Sequence, residues 1–194
     1  MSSAPPSQTA RTLRPVRPVM IEATTALAGQ AQSIAETYLR TLRGGGTIYF
    51  AGNGGSAADA QHLATEFVVR YARNRRALAA VALTTDTSLL LAAGNDLGFD
   101  QVFSRQVEAH CRQGDLLVLH STSGASPNLL RAAEAARAKH VPVVAFLGKG
   151  GGPLASLADQ AFIVAADETS HIQEIHLAVE HLIVEVVERE LDLA

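Results

Sequence analysis

The sequence predicts an α/β fold, with a parallel sheet carrying helices on both faces. Three observations predict it. Short apolar runs recur at residues 47–51, 79–83, 115–120, 141–147 and 160–166. None alternates cleanly between apolar and polar, as expected of strands buried on both faces. Between them stand Gly-, Ser- and Asp-rich turns, then segments with helical spacing. Strand and helix alternating at this length imply parallel pairing through crossover helices.

Taken in order, residues 1–18 (MSSAPPSQTARTLRPVRP) are rich in Ser, Pro and Arg, which predicts a mobile tail ahead of a single domain over 19–194. The alternative for this segment is a small basic arm made by Arg11, Arg14 and Arg17, although three charges bind weakly against salt. From Met20 to Leu42 the apolar positions Leu27, Ala31, Ile34, Tyr38 and Leu42 follow helical spacing. The stripe is weaker before Leu27, where Thr24 falls on the same face. Gly44, Gly45 and Gly46 end this helix. Further helices are predicted over 56–71, over 87–93 with 100–111, over 127–138 and over 170–191. No internal repeat or second-domain boundary interrupts the pattern. In such sheets ligands sit beyond the carboxyl ends of the strands, so function is sought in the strand-to-helix turns.

Composition narrows the class. A length of 194 residues is ample for one sizeable core. The charged fraction of 18% lies below the roughly 25% of typical soluble domains, which argues against disorder. Sixteen basic and 19 acidic residues leave a net charge of −3, with no electrostatic footprint for nucleic acid or an anionic membrane. One cysteine excludes an intramolecular disulfide and any multi-cysteine zinc site. No run approaches the ~18 apolar residues of a membrane span, and the N-terminus lacks a signal-peptide core. A cytoplasmic protein is expected. The mean hydropathy of +0.13 is high for so few aromatics.

Two turns stand out. Ala51-Gly52-Asn53-Gly54-Gly55-Ser56-Ala57-Ala58 lets backbone approach a ligand and opens a helix whose free N–H groups suit an anion. No Lys follows the glycines, so it is not a Walker loop, and it fails G-x-G-x-x-G. Alone it is equally a plain tight turn. His120-Ser121-Thr122-Ser123-Gly124-Ala125-Ser126-Pro127 is more informative. Ser126 is placed as N-cap with Pro127 at N1, a structural role. Capping leaves Ser121, Thr122 and Ser123 unexplained. Short hydroxyls beside helix N–H groups suit a phosphate monoester. In the Thr84–Ser88 turn, Asp86 or Ser88 serves as a cap or a ligand. Asn95 and Asp96 orient sugar hydroxyls or form an ordinary turn. The hydroxyl-free Gly148–Gly152 segment reads as a flexible connection.

Acid–base and metal candidates lie on helices. His62 and Glu66 are four apart and share a face; a surface ion pair is the bland reading. On the last helix, Gln173, Glu174, His176, Glu180, His181 and Glu185 stand among aliphatic residues. Gln173 and His176 share a face, whereas Gln173 and His181 are separated by roughly 12 Å of axial rise. Spacing therefore pairs Gln173 with His176. His110 and His140 are further lone histidines, which are more often structural than functional.

Together these residues resemble the bacterial phosphoheptose isomerases of the sugar isomerase (SIS) domain superfamily, from about Met20 to the C-terminus. The resemblance rests on AGNGGSAADAQHLATEF at 51–67, ALTTDTS at 82–88, GND at 94–96, STSGAS at 121–126, and IQEIH followed by His181. It implies a three-layer α/β/α sandwich with a five-stranded parallel sheet, flavodoxin- or Rossmann-like. It implies a homotetramer with sites at subunit interfaces, and a divalent metal, one zinc per subunit, held by His62, Glu66, Gln173 and His181. Glu66 and His181 match the family's catalytic acid–base pair. Asn53, Gly54, Gly55, Glu66, Asn95, Asp96 and Gln173 match substrate-contacting positions, and Ser121, Thr122, Ser123 and Ser126, with Ser56 as a further candidate, match the phosphate site. The implied reaction is aldose–ketose isomerisation of sedoheptulose 7-phosphate to D-glycero-D-manno-heptose 7-phosphate, which opens nucleotide-activated heptose biosynthesis and so supplies lipopolysaccharide. The implied partners are that phosphorylated seven-carbon sugar and further copies of the chain, with no nucleic acid or membrane. Three departures bear on substrate preference: Ala125 stands where relatives often have Asn, His120 where they have an aliphatic residue, and His171 where they often have Arg.

The rival from another class is a non-catalytic SIS protein that binds a replication initiator or senses a sugar phosphate. Such relatives characteristically lack the residues that Glu66 and His181 match. A third reading is an SIS isomerase for a different phosphorylated sugar.

Overall fold

The chain, seen in a computed structural model, is described over residues 28–191. The expected tail at 1–18 with its basic arm, and the start of the first helix, lie outside the described residues. Five parallel strands form one sheet in the order β2-β1-β3-β4-β5: β1 (Ile48–Gly52), β2 (Ala80–Ala82), β3 (Leu116–Ser121), β4 (Val143–Leu147) and β5 (Gln160–Ile163). Each lies within one or two residues of its predicted run, except that β5 stops at Ile163.

Successive strand residues face opposite layers, which divides the core. On one face Ile48, Phe50, Leu116, Val118, Val144 and Phe146 pack against helices α1 (Ala28–Arg43), α2 (Gly55–Val68) and α7 (Thr169–Leu191). On the other, Tyr49, Leu117, Leu119, Val143, Ala145 and Leu147 meet α3 (Thr87–Asp96), α4 (Ser104–His110), α5 (Pro127–Ala138) and α6 (Leu154–Leu157). The three-layer α/β/α sandwich is thus present. β1, β3 and β4 are buried along their whole length, which is why their sequences do not alternate. No described helix is long and apolar enough to cross a membrane.

Three elements differ from expectation. The helix predicted over 56–71 ends at Val68, because residues 71–73 turn their N–H groups onto the Glu188 carboxylate instead of continuing the helix. The 87–93 helix runs on to Asp96, and Gly98 (φ +98°) then breaks the chain into a 3₁₀ turn, Phe99–Gln101, and the short α4. The Gly148–Gly152 segment is not a free connection. It packs against the Ser121–Ser126 turn, with the Leu154 N–H donating to the Gly124 carbonyl at 2.9 Å.

α7 docks on the sheet through a buried histidine. His176 Nε2 donates to the Leu147 carbonyl at 3.0 Å, and its buried Nδ1 has no partner. Burial drives this imidazole's pKa down to about 3. The unfolded chain binds the proton first, near pH 6.5, so the stability His176 contributes is present above that pH and is lost as pH falls toward 3. His176→Gln keeps a donor for Leu147 without titrating. Urea unfolding between pH 6.5 and 4.5 is expected to show the variant losing about 2 kcal/mol less stability than the parent. Equal losses would mean that His176 is not held neutral.

Candidate active site

The sheet order reverses between β1 and β3, and there the two motif turns meet. Gly52, which ends β1, pairs in register with His120 of β3. Beyond this pair the Asn53 and Asn128 side chains exchange two hydrogen bonds of 2.9 Å each. Asn128 was not singled out from sequence, although its place just after Pro127 puts it in the first turn of α5. Gly54 takes the N-cap of α2 at φ +56°, Gly55 opens the helix, and Ser56 is buried behind it. The two elements approach closely here: a Cβ on Gly55 would lie 2.6 Å from Gln173 Nε2 and would push that amide aside. Gln173 of α7 is thereby placed at the start of α2.

The second turn folds on its own hydroxyls. Ser121 Oγ accepts the Gly124 N–H at 3.0 Å, and Ser123 Oγ accepts the Ala125 N–H at 3.3 Å. Thr122 is half-buried beside them, and Ser123 is exposed. Ser126 does occupy the N-cap of α5 with Pro127 behind it, but its hydroxyl makes no capping bond. The structural role expected of Ser126 is therefore positional only. Asp86 is a genuine cap, accepting from the Leu89 N–H at 2.9 Å. Asn95 and Asp96 close α3, exposed, with the Asn95 amide donating to Asp96 at 2.7 Å. Asp96 lines an open groove between α3 and α4. No described hydrogen bond joins these two residues to either turn.

Further along α2 a second cluster forms. His62 Nε2 lies 3.3 Å from Glu66 Oε1, one turn on, and 2.8 Å from His181 Nε2 of α7. One donor atom from each of the three lies within 4.8 Å of the others. Zinc bound at about 2.0–2.1 Å spaces tetrahedral donors about 3.3 Å apart, so two imidazoles and a carboxylate at these distances suit such a cation. Burial, and then neighbouring His62, lower the pKa of His181, which keeps it neutral and able to ligate. The i,i+4 pair of the sequence is therefore joined by His181, while His176 points into the core. Gln173, placed at Gly55, is not part of the cluster within one chain.

A buried pair joins two residues that the sequence marked separately but did not pair. His120 Nε2 meets both oxygens of Glu180, at 2.9 and 2.8 Å, with both side chains almost fully buried. Burial favours the neutral imidazole, but the adjacent carboxylate outweighs it and raises the His120 pKa. Burial raises that of Glu180.

The comparisons with known proteins agree with this geometry. The SIS domain family profile matches residues 13–148. The phosphoheptose isomerase of Akkermansia muciniphila is 51% identical over 170 residues, covering 88% of this chain and 90% of that one. The chain belongs to the phosphoheptose isomerase family of SIS-domain proteins. The structure of the phosphoheptose isomerase from Neisseria gonorrhoeae superposes with a TM-score of 0.85 at 42% identity, over 90% of this chain and 93% of that one. That from Francisella tularensis superposes at 0.87 with 32% identity and the same coverage. Within this phosphoheptose isomerase fold the Ser121 turn has little room for change. At Gly124 (φ +62°) a Cβ would lie 1.8 Å from the Gly151 carbonyl oxygen. Gly124→Ala is expected to destabilise the fold by roughly 2 kcal/mol or more in urea unfolding, since positive φ alone costs about 1–2 kcal/mol. An unchanged midpoint would mean that the two glycine loops are not packed as described.

Proposed function

We infer that the chain interconverts sedoheptulose 7-phosphate and D-glycero-D-manno-heptose 7-phosphate. The observation that carries the reading is the convergence of Glu66 and His181 with His62, residues a non-catalytic SIS protein has no need to assemble. The Ser121, Thr122, Ser123 and Ser126 hydroxyls at the opening of α5 hold the phosphate, while Ser56 and the opening of α2 complete that edge. Asn53, Gly54 and Gly55 meet the sugar, with Asn95, Asp96 and Gln173 as further contacts. This remote binding fixes the reacting end of the substrate.

The reaction moves one proton between adjacent carbons and leaves the molecule's redox state unchanged. Glu66 takes the proton from C1 of the ketose, and the C–H electrons become the C1–C2 double bond of an enediol. His181 gives a proton to the oxygen on C2. Loss of the O1 proton and return of a proton to C2 then yield the aldose. His62, Glu66 and His181 would hold a divalent metal, zinc on this donor set, with Gln173 of a neighbouring copy as fourth ligand; when bound, the ion polarises the carbonyl oxygen. Glu66 and His181 each face a competition, because an atom that ligates cannot carry a proton at the same time. Exposed Leu91, Leu97, Phe99 and Leu182 support burial between copies in a cytoplasmic homotetramer.

The test is direct. Purified protein is expected to isomerise sedoheptulose 7-phosphate and to lose activity after chelation, with zinc restoring it. Glu66→Gln should lower kcat by roughly 10²-fold or more, the scale of lost general-base catalysis. Turnover close to the parent's would remove Glu66 from this role. Replacing Ser121 and Ser123 together with Ala should raise KM for the phosphorylated sugar with a smaller change in kcat. A KM that does not move would place the phosphate elsewhere.

A further inference from the structure

A buried carboxylate on α7 plays no part in the chemistry above. Glu188 is 2% exposed, seven residues beyond His181. It accepts four hydrogen bonds: from the N–H groups of Tyr71 (3.1 Å), Ala72 (2.9 Å) and Arg73 (2.9 Å), and from Arg75 Nε (2.9 Å). Burial pulls its pKa up, but the three N–H donors and the Arg75 charge outweigh this and hold it below the ordinary range. The segment after α2 is thus wrapped around one ionised side chain.

The groups gathered there reach both catalytic residues. Arg75 turns its remaining nitrogens onto the last turn of α2, where carbonyls lack helical donors. Nη2 donates to the Glu66 carbonyl at 2.6 Å and Nη1 to that of Phe67 at 2.9 Å. Tyr71, whose N–H is bound to Glu188, lays its ring on the His181 imidazole, with centroids 5.6 Å apart and planes 28° from parallel. One carboxylate therefore governs the backbone of the base and the ring face of its partner.

We propose that Glu188 and Arg75 are positioning residues that set the separation of Glu66 from His181, through the Glu66 carbonyl and the Tyr71 ring. The inference rests on the roles given above to Glu66 and His181. A purely structural clamp would affect stability alone. A positioning clamp affects the reacting geometry, where a misplacement of about 1 Å costs on the order of 10²-fold. The two are distinguished in full-length Glu188→Gln, Tyr71→Ala and Tyr71→Phe, each checked for folding by circular dichroism. kcat and KM are measured with sedoheptulose 7-phosphate, and zinc affinity by competition with a chromogenic chelator. Glu188→Gln and Tyr71→Ala should lower kcat by about tenfold or more with KM within about twofold, and weaken zinc binding by about tenfold, the scale of lost outer-shell support. Tyr71→Phe, which keeps the ring, should stay closer to the parent than Tyr71→Ala. The Tyr71 variants break no buried ion pair, so they decide the matter even if Glu188→Gln does not fold. Folded Glu188→Gln or Tyr71→Ala with the parent's kcat and zinc affinity would overturn the proposal. A parent protein that does not isomerise the sugar would overturn the proposed function instead, and the zinc titration would still decide the clamp.

Discussion

The parallel pairing of β1 with β3 is the constraint on which the site depends. The sheet order places these strands side by side although β2 lies between them in sequence. Their crossover helices leave on opposite faces, so the carboxyl ends open a crevice that neither helix fills. Register brings Gly52 opposite His120, and the two motif turns begin one residue later. The Asn53–Asn128 amide pair then joins the mouths of α2 and α5. A slip of one residue would turn every inward side chain of β3 to the other layer and separate the two turns. The meeting of the two turns is thus a consequence of strand order more than of any single polar residue.

The second element of the site comes from the crossing of α2 and α7 on one face of that sheet. α7 faces the sheet with Ile172, Ile175, Val179 and Ile183, and among these lie two polar side chains with separate tasks. His176 fastens the helix to Leu147. Glu180 pairs with His120, the residue before the Ser121 turn, and it immediately precedes His181. That pair joins the Ser121 turn to the helix bearing His181. A buried ion pair contributes little net stability, but removal of one partner strands the other, typically at about 3–5 kcal/mol. An aliphatic residue at 120 would leave Glu180 without its partner. His120 and Glu180 are therefore matched across the two elements.

The sheet was readable because strands buried on both faces must be continuously apolar, and each was punctuated by Gly, Ser or Asp. Helix ends were less readable. Pro127 and Ser126 mark the start of α5 locally, whereas α2 stops at Val68 for a reason 120 residues away, the Glu188 carboxylate. The pairing of His62 with Glu66 followed from helical spacing, since both lie on one element. The choice of His181 over His176 did not, because it depends on which flank of α7 faces α2. Glu188 and Arg75 escaped notice because charged residues near a helix end are ordinarily solvated. The one available signal was a glutamate flanked by Val184 and Val187, positions that must face the core.

Gln173 shows how far one chain carries the site. On α7 it lies eight residues before His181, about 12 Å along the axis, and its amide rests against Gly55, about 10 Å along α2 from His62. Both helices place it about two turns away from the cluster, and a glutamine side chain does not span that distance. Its neighbour in the same chain is the glycine turn that opens α2. To act as a metal ligand it would have to meet the cluster of another copy. The two assignments drawn for Gln173, sugar contact and metal ligand, are therefore compatible only where copies meet, and the spacing that first pointed to His176 is the reason.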